Sequence, residues 1–425
     1  MKRELKTLFL LTLAFLVAAC DKEKEVDPPA ELVDLQPKIR VQKVWSTSLG
    51  GGGDRLRLGL RPASFDGTHL YVADHDGDVL AVQKTSGRVT WRTSTELPLS
   101  GGPGVGFGRV VVGSNDGDVV ALSTENGQQL WKVDIGGEVL AAPAVSEAIV
   151  VVRTVDGRLR GLSSADGHEL WVIEQQVPRL SVRGTAAPVI AGDVVICGFD
   201  NGKVIAVTLR EGDIAWETAI GSSRGRTELE RMVDIDAAVD VDGKDVFVVG
   251  YQAKAAMLAI ESGQIWWARD ASSDRGLALD DEAVYLSSAS GDVVALNRRD
   301  GAPVWEQPAL HRRSLTGPVL DGPAVVVADF EGYVHWLDAK SGELLARMGT
   351  DGDRVTNSPL VTDSMVFVLT DSGTLAAFRR ADALAAASKP AEETAPQAPP
   401  AEQAAPPAPS EPTSEPTPPE SSQDG

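Results

Sequence analysis

Short apolar runs alternate with glycine-bearing polar turns between Val44 and Phe378, and the alternation repeats. The clearest copy reads Leu70-Tyr71-Val72-Ala73, Asp76-Gly77-Asp78, Val79-Leu80-Ala81-Val82, Ser86-Gly87 and Trp91. This predicts a strand, a turn, an alternating strand, a second turn, and a strand carrying tryptophan. Asp-Gly and Ser-Gly pairs supply the positive φ of tight hairpins. Strands rich in Val and Ile suit packing on both faces. The glycine-to-tryptophan step recurs at Gly127 and Trp131, Gly167 and Trp171, Gly212 and Trp216, Gly263 and Trp267, and Gly301 and Trp305; a further copy has Gly342 but ends in Ala346. The tryptophans follow one another at roughly 40 to 50 residues, the period of a four-stranded propeller blade. Their rings are expected to fill the wedges between blades.

A further strand precedes most units and carries proline at Pro62, Pro103, Pro143, Pro188, Pro318 and Pro359. Proline fits the start or the unpaired edge of a strand, so this strand is expected innermost. Strand pairs headed by Leu70, Val110, Val150, Val194, Val246, Val284, Val325 and Val366 make eight units. The last unit lacks its tryptophan strand, and Trp45 has no complete unit before it. The expectation is therefore an all-β fold: an eight-bladed β-propeller of four-stranded blades, in which Val44-Trp45-Ser46-Thr47 closes the last blade. Closure removes the open sheet edges. An open array or a seven-bladed ring is the alternative.

The two ends change the picture. Residues 1–19 read as an export signal, with Lys2, Arg3 and Lys6 before an apolar stretch too short for a comfortable span. Val17-Ala18-Ala19-Cys20 resembles the bacterial lipobox, which implies lipidation at Cys20; the alternative is an ordinary signal peptide with an incidental cysteine. Residues 20–42 are expected to be the lipid anchor and a flexible tether, 43–380 the propeller, and 381–425 a disordered tail rich in Pro, Ala and Glu. With Cys20 lipidated, Cys197 is left alone and no disulfide supports the fold. The net charge of −21 argues against a nucleic-acid partner.

His69, His75, His168, His311 and His335 form no zinc motif. Aligning Gly77 with the invariant glycine of a calcium loop puts Val72 and Gln83 in ligand positions, so Asp74 to Asp78 reads as a turn. The glycines at 50–53 and 101–108 lack the lysine and helix of a phosphate cradle. The repeat resembles those of pyrroloquinoline-quinone dehydrogenases, the main enzyme alternative, but there is no vicinal cysteine pair. No catalytic residue, metal or cofactor is expected.

Two inter-blade segments depart from the repeat: Val177-Pro178-Arg179-Leu180-Ser181-Val182-Arg183-Gly184, and Arg226 to Asp236 with its Thr227-Glu228-Leu229-Glu230-Arg231 and Asp234-Ile235-Asp236. With Glu331 to Trp336, Leu310 to Arg313 and Trp45 to Ser48, they resemble the BamB family of propeller lipoproteins of the outer-membrane β-barrel assembly machinery. The resemblance implies a non-catalytic scaffold that binds the periplasmic POTRA domains of the barrel protein BamA. It places Leu180, Val182 and Arg183 on the BamA contact and Asp234 and Asp236 on a neighbouring acidic pair. Val182 stands where the family commonly has leucine. Leu180 and Val182 also read as blade core, and Arg183 as an internal ion pair to Asp234 or Asp236. Nascent barrel strands pairing with a blade edge are a second partner class. The implied location is the outer membrane, facing the periplasm; Asp21 resembles an inner-membrane retention signal.

Overall fold

Seven of the eight outer strands carry a tryptophan, and six of these tryptophans lie opposite an alanine or glycine of the neighbouring strand, while Trp267 lies opposite Met257. The computed structural model describes residues 28–50, 59–181, 184–221, 226–227 and 232–381. Among them, eight sheets follow one another along the chain, and the eight-bladed β-propeller is the fold. Blade 3 runs Ala144–Val145, Ile149–Arg153, Arg158–Ser163 and Glu169–Glu174 from inside outwards, all antiparallel. The expected closure holds: Val41–Ser48 pairs with Thr374–Arg380, with Trp45 opposite Ala377.

The inner strands neighbour one another round the axis. The expected prolines line the channel between them, of about 630 Å³. Blade 1 departs from the four-stranded expectation. Its inner segment is reduced to the Ala63–Tyr71 bridge, because Gly59–Leu60 pairs in parallel with Gly101 and Gly102 of blade 2. The glycines of that blade 2 strand allow close approach: a β-carbon on Gly104 lies 1.9 Å from the Pro143 carbonyl oxygen of blade 3.

The core lies between adjacent blades, and seven seams repeat one device. The indoles of Trp45, Trp91, Trp131, Trp171, Trp216, Trp267 and Trp305 donate to backbone carbonyls of the next blade at 2.7 to 3.0 Å. Each ring also covers the turn glycine of that blade; a β-carbon on Gly87, Gly127, Gly167, Gly212, Gly263, Gly301 or Gly342 meets it at 2.5 to 2.7 Å. Within the blade Trp91, Trp131, Trp216 and Trp305 face Ala81, Ala121, Ala206 and Ala295. A large ring opposite a methyl group stays flat enough to reach across.

The seam between blades 7 and 8 inverts this pair: Ala346 faces Trp336. Blade 8 takes its outer strand from the N-terminal part of the chain, so it has no hairpin glycine there to receive a ring. Trp336 fills the seam from the third strand. It is fully buried, stands edge-on to Phe378 at 5.9 Å, and donates to Asp321 Oδ2 at 3.1 Å. Arg380 of blade 8 donates to the same oxygen at 2.9 Å.

Residues 28–42 lie within the expected tether, and they are tied down. The Ala30 amide donates to the His311 carbonyl at 2.9 Å and the Lys38 amide to the Leu345 carbonyl at 2.8 Å. The Arg313 and Arg347 guanidiniums donate to the carbonyls of Ala30 and Val33, and Leu32 packs against blades 6 and 7. A free tether up to residue 42 is corrected to this extent. Extended backbone satisfied by neighbouring arginines leaves no hydrophobic period for sequence reasoning to detect.

Candidate docking face

Connections from an outer strand to the next inner strand emerge on the same face as the Asp-Gly turns. Gly77 abuts Leu97, Gly157 abuts Gln175, and Gly202 abuts Gly221. The two irregular segments are both connections of this kind, joining blades 3 to 4 and 4 to 5.

Their ends are anchored in the fold. Ile235 is fully buried, and a β-carbon on Gly198 meets its side chain at 2.4 Å. Asp234 pairs through its backbone with Tyr251 in both directions, at 3.2 and 2.7 Å, and its side chain is fully buried. Asp236 is half-buried, and its carboxylate lies 3.0 Å from a β-carbon built on Gly184. The two segments therefore meet at Gly184 and Asp236.

A rigid shelf lies beneath. Ala186, Cys197 and Phe199 share one core cluster. The Arg153 guanidinium stacks on Phe199 at 4.4 Å and pairs with Asp200 at 2.9 Å. Burial raises the Asp200 carboxyl above its usual range, although the guanidinium opposes it. Burial pushes the Cys197 thiol up to about 12, so it is a small apolar core group.

Against this anchored base, Leu180 is 46% exposed and Ser181 is exposed beside it. The blade-core reading of Leu180 does not hold. Val182, Arg183 and Cys20 lie outside the described residues. The closeness of Gly184 to Asp236 brings together the two segments that the ion-pair reading of Arg183 joins. Among the described residues, no group of His, Cys, Asp and Glu side chains comes together to hold a metal ion, and no helix is long and apolar enough to cross a membrane.

The model of a family described as outer membrane protein assembly factor BamB matches residues 42–97, 75–307 and 289–409. The assembly factor BamB of Pseudomonas aeruginosa is 50% identical over 371 residues, covering 87% of this chain and 97% of the relative. The chain belongs to the BamB family. The BamB of Kangiella koreensis is 46% identical over 86% of this chain and 93% of its own. The solved structure of BamB from Moraxella catarrhalis matches at a TM-score of 0.74 with 28% identity, covering 80% of this chain and all of that one. A quinohemoprotein alcohol dehydrogenase from Comamonas testosteroni matches at a TM-score of 0.64 and 13% identity, covering 80% and 76%; it shares the fold.

Proposed function

We propose that this protein is a non-catalytic scaffold in outer-membrane protein assembly, held by lipid on Cys20 at the outer membrane and facing the periplasm. It docks the POTRA domains of BamA through Leu180, Val182 and Arg183, with Asp234 and Asp236 fixing the adjoining segment. The observation that carries this reading is the exposed Leu180 beside a junction whose neighbouring segment is anchored by buried Asp234 and Ile235. An apolar side chain held out on an anchored base loses little conformational entropy on binding, and an adjacent arginine is a common hot spot. Asp234 acts from inside the fold, shaping the connection through its backbone bridge to Tyr251.

The test is the affinity of soluble protein for the BamA periplasmic domain. Leu180→Ala is expected to cost about 1–2 kcal/mol of binding and Arg183→Ala about 2 kcal/mol or more, with unfolding changed by less than about 0.5 kcal/mol. Unchanged affinity in both variants removes these residues from the site.

A second reading rests on the outer strands. Leu130, Leu170, Ile214, Trp266 and Val304 are exposed on blades 2 to 6, with Trp266 at 55%. An exposed strand edge with apolar side chains suits pairing with an extended chain, here a nascent barrel protein.

A further inference from the structure

Two of the segments that resemble the family, Leu310 to Arg313 and Glu331 to Trp336, take no part in the docking proposal. The fold brings them together on blade 7. Arg313 is buried; it donates through Nε to Asp329 Oδ2 at 2.8 Å and through Nη2 to Glu331. Buried His335 faces the same Asp329 oxygen at 3.0 Å, and Arg347 Nε lies 3.4 Å from His335 Nδ1. The two guanidiniums also grip the N-terminal segment. Arg313 Nη1 donates to the Ala30 carbonyl and Arg347 Nη1 to the Val33 carbonyl, each at 3.0 Å. A charged donor makes a stronger bond than a neutral one. A guanidinium already fixed by a carboxylate also loses little freedom when a carbonyl joins it.

Residues 30–39 therefore form a strap, and its contacts set its path. The Ala30 amide meets His311, in the connection from blade 6 to blade 7 on the docking face. The strap then follows the outer strand of blade 7, Leu344–Gly349, past Arg347 to the Leu345 carbonyl, which accepts from the Lys38 amide at 2.8 Å. The Lys38 ammonium reaches Glu343, beside the Gly342 turn on the opposite face. Leu32 and Ile39 pack into the core clusters on either side of blade 7. From there Val41–Ser48 turns back as the closing strand of blade 8.

This path decides where the chain leaves the propeller. Held only by the closing strand, it would leave at Val41, on the face opposite the docking connections. Held by the strap, it leaves at Ala30, on the docking face. Ala30 is ten residues beyond Cys20 and Val41 is twenty-one. Those lengths of chain span at most roughly 35 Å and roughly 70 Å.

We propose that the Arg313–Asp329–His335–Arg347 cluster is a clamp on the tether, which makes the membrane anchor pull on the docking face beside blades 6 and 7. The bilayer is the surface this rim faces, and the clamp keeps the rim within about 35 Å of it. Leu180, in a connection on the same face, is thereby presented on the membrane side. The inference rests on lipidation of Cys20 as proposed above, and it needs neither Leu180 nor Arg183 as a contact.

The test uses the full lipidated chain, floated on vesicles of phosphatidylethanolamine and phosphatidylglycerol that carry an acceptor dye on their headgroups. A donor dye is attached at Ala289→Cys, on the docking-face turn of blade 6, or at Arg299→Cys, on the opposite face of the same blade. Both positions are exposed, and Cys197 is buried. The five-residue strand Val293–Asn297 between them sets the two dyes roughly 15–20 Å apart. Energy transfer is expected to be stronger from position 289 than from position 299. Ala30→Pro with Leu32→Asp changes the strap alone, so folding of the blades is not at stake. It is expected to erase the difference and to speed amide exchange at Lys38 about fivefold or more. Arg347→Ala, on the clamp side, is expected to shift both readouts in the same direction.

Equal or reversed transfer in the unmodified strap, or a difference that survives the strap substitutions, overturns the proposal while flotation keeps the lipid anchor standing. Failure to float removes the lipid anchor and this proposal with it. Neither result touches docking through Leu180, since no partner protein is present.

Discussion

Seven seams of this propeller and the eighth solve the same packing problem by different means. In the seven, an outer-strand tryptophan reaches into the next blade, covers a glycine and donates to a backbone carbonyl. In the eighth, where the ring is closed by chain segments from opposite ends of the propeller, there is no such glycine. The tryptophan moves to the third strand, and a buried charge pair joins the blades through Asp321 and Arg380. Repetition explains the seven, while closure needs a polar lock in which each partner depends on the other.

Asp321→Ala should break the comparison most strongly. It removes the acceptor that the Arg380 guanidinium and the Trp336 indole share, and loss of one member of a buried pair costs about 3–5 kcal/mol. Chemical denaturation reads this directly. Trp267→Ala at a regular seam should cost about 3 kcal/mol through lost burial. A result in which Asp321→Ala is the milder of the two shows that closure relies on apolar packing alone.

Ala346→Trp, which imposes the regular pattern on the closing seam, is expected to destabilise by about 1–3 kcal/mol, because Trp336 already fills the space. Stabilisation by this substitution contradicts the inverted-pair account.

The smallest effect concerns pH on the opposite face of blade 7. Buried His335 lies 3.0 Å from Asp329, whose carboxylate also accepts from Arg313 at 2.8 Å. Burial lowers the His335 pKa below its usual value. The unfolded chain then binds the proton more readily, so the stabilisation is full above about pH 6.5 and declines as pH falls below it. His335→Gln should flatten the melting temperature between pH 7.5 and 5.5, and an unchanged slope points to another group.

The repeat was legible because it has a period. The Gly-to-Trp step, the inner prolines and the N-terminal closing strand all follow from it, and each lies where expected. Trp336 belongs to a segment that resembles the family, but its structural role was hidden, since it depends on Ala346 across from it in another strand. The docking of residues 28–40 was hidden for a different reason: it rests on hydrogen bonds from Arg313 and Arg347, far along the chain. Of the candidate site, the exposure of Leu180 excludes its blade-core reading. Asp234 is an interior residue, which alternation of apolar and polar positions cannot reveal when the buried group is itself charged.

Photo-crosslinking in cells, from position 180 on the docking face and position 266 on the outer edge of blade 5, compares the two surfaces under one condition. A BamA adduct from position 180, absent from position 266, is the predicted result. Adducts to nascent barrel proteins from position 266, with none to BamA from position 180, contradict docking through the irregular connections.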